Sequence, residues 1–153
     1  MLVSPVVASI PTGRGSARPD PRPAAADLSP QWRSRLPVVL EDLAIAWRTP
    51  SAWEGTARAG GVTMPAMVLG MVAVNELIMH GWDLARATRQ EYAADPRLLE
   101  PLIEFLSQGP REGTPGRFGP VVEIQDEEEA DLLDQAVCLA GRNPHWRPTS
   151  SAH

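Results

Sequence analysis

The sequence predicts a mainly α-helical domain with one short extended segment, and three observations carry that expectation. Apolar residues recur at helical spacing in four stretches; caps, prolines or glycines bound each stretch; and only FGPVVEI, residues 118–124, is β-branched enough to read as a strand or extended segment. A chain of 153 residues has room for one ordinary domain.

Of the 16 prolines, Pro5, Pro11, Pro19, Pro21, Pro23 and Pro30 fall in the first thirty positions, among Arg, Ser, Gly and Ala. Such a mixture buries too little apolar area to offset chain entropy, so residues 1–27 are expected to be a disordered leader. Residues 28–148 then form the helical domain and 149–153 a tail.

In the first helix Ser29 is placed to cap and Pro30 to occupy the first turn, followed by Trp32, Leu36, Leu40, Leu43 and Trp47 at helical spacing up to Arg48. Pro37 marks either a kink or the true start. A Gly-rich link, Gly55 to Gly61, leads to Thr63 and Pro65, a cap and first-turn proline for the longest helix, which runs to about Thr88. Its first half, PAMVLGMVAV, is apolar nearly all round, as in a helix at the centre of a bundle. Asp95 and Pro96 open a third helix through Leu98, Leu99, Leu102, Ile103 and Leu106, with Pro101 inside it. After the Gly/Pro-rich loop from Gly109 to Gly116 and the extended FGPVVEI, Asp126 with Glu129 forms a capping-box-like start for a last helix, closed by Gly141 in the left-handed cap position.

Composition excludes several functions. The net charge is −5, and because the leader up to Ala26 carries +2, the rest carries −7. An acidic domain without a basic run is a poor nucleic-acid binder, since that affinity comes mainly from neutralising phosphates. No apolar stretch approaches the roughly 20 residues of a membrane helix, and MLVSPVVASI lacks the positive start of a signal peptide. The single cysteine, Cys138, precludes an internal disulfide and fits a reducing cytoplasm; among Leu133, Val137 and Leu139 it reads as a buried small hydrophobe.

One constellation can carry chemistry. In NELIMHGWDLARAT, Glu76 and His80 are four residues apart and Asp83 three further on, which puts all three on one helix face. Val72, Val74, Leu77, Ile78 and Met79 around them point to a buried helix, where a carboxylate needs a neutralising partner. A carboxylate and an imidazole at this spacing can reach one divalent ion, or simply bond to each other. Asp83 is expected to pair with Arg86 or Arg89 rather than to ligate, and Trp82 to be a core residue. His145 and the terminal His153 add nothing to the cluster.

NELIMHGWDLARAT, followed by RFGPVVEI and GRNPHW, and preceded by WEGTARAGGV, resembles the DinB-like metal-dependent proteins of actinobacteria that include mycothiol-dependent maleylpyruvate isomerase. The likeness spans roughly Leu28 to Pro148. It implies a four-helix bundle holding zinc or nickel, with Glu76 and His80 as the two ligands from one helix. It also implies thiol chemistry, an isomerase or transferase working with mycothiol on a small thiol or carbonyl substrate. The family takes a further histidine from an earlier helix, and no histidine precedes His80 here, so the bundle is expected to be incomplete: about three long helices plus a C-terminal one. A start annotated too far downstream, a truncation or frameshift, or a ligand from another chain would each account for that. Catalytic groups beyond the metal are not assigned by the sequence. The alternative expectation is a non-catalytic helical remnant or interaction module that self-associates through its uncovered helix face.

Overall fold

The structure, a computed structural model, describes residues 27–59, 61–113, 119–124 and 130–148. The leader up to residue 26, the Asp126 and Glu129 pair and the tail from residue 149 lie outside them. The chain is mainly α-helical, as the sequence predicts, with α1 (Trp32–Arg48), α2 (Ala66–Thr88), α3 (Pro96–Ser107), α4 (Leu132–Leu139) and one small hairpin, β1 (Thr56–Ala59) and β2 (Val62–Pro65). It divides into two compact units, one up to Gly70 and one from Met71. No helix among the described residues is long and apolar enough to cross a membrane.

In the first unit α1 starts at Trp32, two residues later than Ser29 and Pro30 predict. The Ser29 hydroxyl donates to the Gln31 side chain and accepts the Gln31 N–H at 3.3 Å, a capping-type bond one residue ahead of the helix, while Gln31 itself makes no cap bond. The helix runs through Pro37, whose ring removes the N–H that would bond the Arg33 carbonyl. None of its residues is buried: Trp32, Leu43 and Trp47 are half-buried, whereas Leu36, Val38, Val39, Leu40 and Ile45 are exposed. A short 3₁₀ turn, Pro50–Trp53, folds back on the end of α1. There the Trp53 indole N–H donates to the Trp47 carbonyl at 2.8 Å, and the two rings lie 4.7 Å apart at 56°. Trp53 also covers Gly70, where any Cβ would collide with its ring.

The Gly-rich stretch read as a link is in fact a hairpin. Thr56 pairs with Pro65 and Ala59 with Val62, so two residues make the turn; Gly61, at φ +81°, supplies the left-handed backbone that such a turn requires. Thr63 and Pro65 consequently belong to β2 rather than to a helix cap. The first N–H of α2, from Ala66, is satisfied by the Gly55 carbonyl at 3.0 Å.

The second unit is built on one face of α2. Ile78, Met79 and Trp82 pack with Leu99 and Leu102 of α3 and with Ala136, Val137 and Ala140 at α4. The expectation that the first half of α2 is buried all round does not hold, since Met67 and Val68 are exposed, as are Leu77 and Leu84 further along. Burial follows Asn75, Ile78, Met79, Trp82 and Ala85, a spacing of three and four that covers one side only. Gly81 is required on that helix because the Tyr92 ring sits where its Cβ would be, 2.7 Å from the hydroxyl oxygen.

The ends of these helices are closed locally. Asp95 caps α3 as predicted, accepting from the Arg97 N–H at 3.0 Å behind Pro96. The Arg97 guanidinium on the same carboxylate holds its pKa below the ordinary value. The last helix begins at Leu132, capped by Asp131 accepting from the Asp134 N–H at 2.7 Å. Gly141, at φ +76°, ends it as predicted: its N–H bonds the Cys138 carbonyl and the Arg142 N–H bonds the Val137 carbonyl, which is the Schellman pattern. Helix α2 ends in the same pattern, through Arg89 and Gln90 to the carbonyls of Arg86 and Ala85, but with an arginine at φ +58°. Residues 119–124 are extended without a strand ladder, held by the Val121 N–H on the Arg111 carbonyl and the Val122 N–H on the Cys138 carbonyl. Gly119 lies so close to Gly141 that a Cβ on Gly141 would stand 2.7 Å from the Gly119 carbonyl oxygen.

Two substitutions test these backbone arguments. Arg89→Gly removes a side chain from a left-handed position and is expected to stabilise the fold by about 1 kcal/mol in chemical denaturation. Gly81→Ala would gain about 1 kcal/mol of helix propensity at an open position, but here the overpacking against Tyr92 costs about 1–3 kcal/mol, so a net loss of stability is expected.

Candidate functional site

Glu76, His80 and Asp83 stand on α2 at the border between its buried and exposed sides, because each falls beside a core residue in the helical repeat. The His80 Nε2 lies 3.0 Å from Glu76 Oε2, and its Nδ1 lies 3.3 Å from Asp83 Oδ2. The side chains of Glu76 and His80 are 49% and 66% exposed, so neither faces the apolar interior that their neighbours suggested. The exposure of the Glu76 carboxylate removes the burial cost that an apolar interior would impose.

Asp83 does not pair with Arg86 or Arg89. Arg142, in the segment that follows α4, grips it in two-pronged fashion, Nε to Oδ1 at 2.9 Å and Nη2 to Oδ2 at 3.0 Å. The planar guanidinium matches both carboxylate oxygens, and the Schellman turn at Gly141 delivers Arg142 to them. A third bond, from Arg142 Nη1 to the Ala140 carbonyl, steadies the guanidinium. Arg86 lies instead over the Trp82 ring, 5.4 Å from its centroid. Sequence reasoning missed Arg142; its only signal was its place in GRNPHW, 59 residues from Asp83.

The result is a chain of four polar groups: Glu76, His80, Asp83 and Arg142. Two donors each about 2.1 Å from one ion stand about 3 Å apart, and Glu76 Oε2 and His80 Nε2 have that separation, which also serves a direct hydrogen bond. A carboxylate beside the other imidazole nitrogen is the usual place for the support of a metal-binding histidine, and Asp83 Oδ2 stands there at ion-pair distance. The residues therefore fit a divalent ion as a two-donor arm, with Asp83 behind it. Among the described residues no group of three His, Cys, Asp or Glu side chains is placed to hold a metal. His145 is exposed, with its backbone N–H on Asn143 Oδ1, and His153 lies outside the described residues.

Compared with protein-family models, curated proteins and solved structures, the chain matches none.

Two other expected residues take structural places. Trp82 is buried in the core, 3% exposed, and Cys138 is buried likewise. Burial, then the charge of Asp134, pushes the Cys138 thiol above its ordinary pKa. The folded chain thus keeps the thiol proton at a pH where the unfolded chain loses it. Stability from this group is full below the unfolded thiol's pKa and falls as pH rises through the folded one.

Native Cys138 is expected to resist a disulfide reagent at pH 8 and to react in one step on unfolding in denaturant, followed as thiol release. In a double-mutant cycle, Asp83→Asn and Arg142→Met are expected to couple by about 1 kcal/mol, as a partly exposed pair should.

Proposed function

We infer that this protein binds a divalent metal through Glu76 and His80, with Asp83 and Arg142 positioning the imidazole. One observation carries the reading: His80 turns Nε2 toward the Glu76 carboxylate on the exposed side while Nδ1 meets a carboxylate that is itself clamped by arginine. A hydrogen bond between neighbouring turns needs only Glu76 and His80. The Asp83 and Arg142 support behind the ring is what a ligand histidine needs and a surface contact does not.

Two protein donors leave coordination positions for water, a small molecule or another protein ligand, and make the ion exchangeable. A bound zinc or nickel ion would supply Lewis acidity toward a thiol or carbonyl group. The resemblance in NELIMHGWDLARAT and GRNPHW supports thiol-dependent isomerase or transferase chemistry, with mycothiol as the thiol, as the reaction class of this reading. Within this chain Glu76 would share the ion with His80, Asp83 would stand beside Nδ1, and Arg142 would keep Asp83 oriented.

A second reading rests on Leu77 and Leu84, which are 47% and 59% exposed on the same side of α2 as His80. Apolar surface beside a half-filled ligand set suits a second copy of the chain that covers the leucines and completes the site.

Zinc or nickel titration by calorimetry is expected to give one ion per His80, lost in both Glu76→Ala and His80→Ala. Asp83→Asn is expected to keep the stoichiometry but weaken binding by about 10- to 100-fold. Equal affinity in all four proteins would refute the assignment of Glu76 and His80. Sedimentation with and without metal distinguishes the readings: a metal-dependent dimer lost in Leu77→Gln/Leu84→Gln supports the completed site, and a monomer at one ion per chain supports the open one.

A further inference from the structure

A second feature of α2 points away from the metal-binding face. Asn75 precedes Glu76 by one residue, which turns its side chain by about 100° around the helix, and it is 4% exposed whereas Glu76 is open to solvent. Its Oδ1, like the buried indole Nε1 of Trp82, has no hydrogen-bond partner among the described residues, and of the two only Asn75 lines a cavity between α2, α3 and α4. A buried carbonyl oxygen without a donor costs about 1–3 kcal/mol and is uncommon in native proteins.

Asn75 lines a cavity of about 310 Å³. Val72, one turn earlier on α2, Phe105 and Leu106 at the end of α3, and Leu139 and Ala140 at the end of α4 form its apolar walls, and Gln108 stands at the side. All of these belong to the second unit. Among the described residues that line it none is ionisable, so a charged ligand would find no counter-charge on them. A cavity of about 150 Å³ with apolar walls holds one benzene ring, so this one has room for a ring carrying a further substituent.

We propose that this cavity is a binding site for a small neutral ring compound bearing one hydroxyl group, with Asn75 as its polar anchor. The hydroxyl donates to Oδ1 and can accept from the Asn75 amide N–H, while the ring fills the space between Val72, Phe105, Leu106 and Leu139. A mainly apolar pocket with a single well-placed polar group is the usual form of such sites, the polar group setting orientation and selectivity. The site is separate from Glu76 and His80 and does not depend on a metal.

The test compares 4-ethylphenol with 4-ethyltoluene, two probes of nearly equal shape, on the full-length chain by protein-observed methyl NMR and thermal shift. The phenol is expected to bind at least about tenfold more tightly, because only it pairs the buried carbonyl. It should move the methyl signals of Val72, Leu106 and Leu139 and leave those of Leu77 and Leu84 in place. Asn75→Leu is expected to abolish the preference for the phenol, and Val72→Phe, which fills the cavity, to abolish binding of both probes. Equal binding of the two probes by the wild type, shifts at other methyls, or no binding up to the solubility limit of the phenol would each overturn the proposal. The wild-type comparison decides the matter even if either variant fails to fold.

Discussion

Met79, Leu102 and Val137 come from three different helices and are almost wholly excluded from water, and burying one face of α2 against α3 and α4 is the constraint to which the rest of the second unit answers. Each such side chain contributes about 1.5–3 kcal/mol on burial, against about 1 kcal/mol or less for a partly exposed ion pair. The core therefore fixes where α2 lies and how it is rotated. Asp83 and Arg142 then pair within a frame already set, and their contribution to stability is small beside it. Gly81 answers to the same constraint, since Tyr92 reaches the core only over a residue without a side chain.

Rotation of α2 also separates its two polar features. A step of one residue takes the chain from Asn75, buried with an unsatisfied oxygen, to Glu76, solvated and paired with His80. Adjacent residues thus serve opposite sides of one helix. The apolar residues left over on the outer side, Leu77 and Leu84, frame the imidazole without covering it.

Much of this was legible in the sequence. Helical spacing located α2 and α3, Asp95 and Pro96 marked the start of α3, and Gly141 marked the end of α4, because these signals depend on residues a few positions apart. The same locality put Glu76, His80 and Asp83 on one face. What was not legible depended on distant partners or on pairing. The hairpin at Thr56–Pro65 looked like a link, since Gly and small polar residues hide a two-strand register. Arg142 could not be chosen over Arg86 and Arg89 without knowing that the turn after α4 returns to α2. The burial of α2 was overestimated because an apolar composition does not say how many neighbours a helix will have. Residues that look alike in sequence, Met79 and Met67, end up buried and exposed.

The prolines inside α1 and α3 have a kinetic meaning. Pro37 and Pro101 each occupy the sixth residue of their helix, so in both cases the ladder lacks one rung between the first and second turns. The opening turn of each helix is thereby uncoupled from the cooperativity of the segment behind it. In α3 the Asp95 cap and the buried Leu99 hold that turn from outside the ladder, whereas α1 has neither a side-chain cap nor a buried residue. Amide protons at the start of α1 are left to open and exchange locally, well before those of α3.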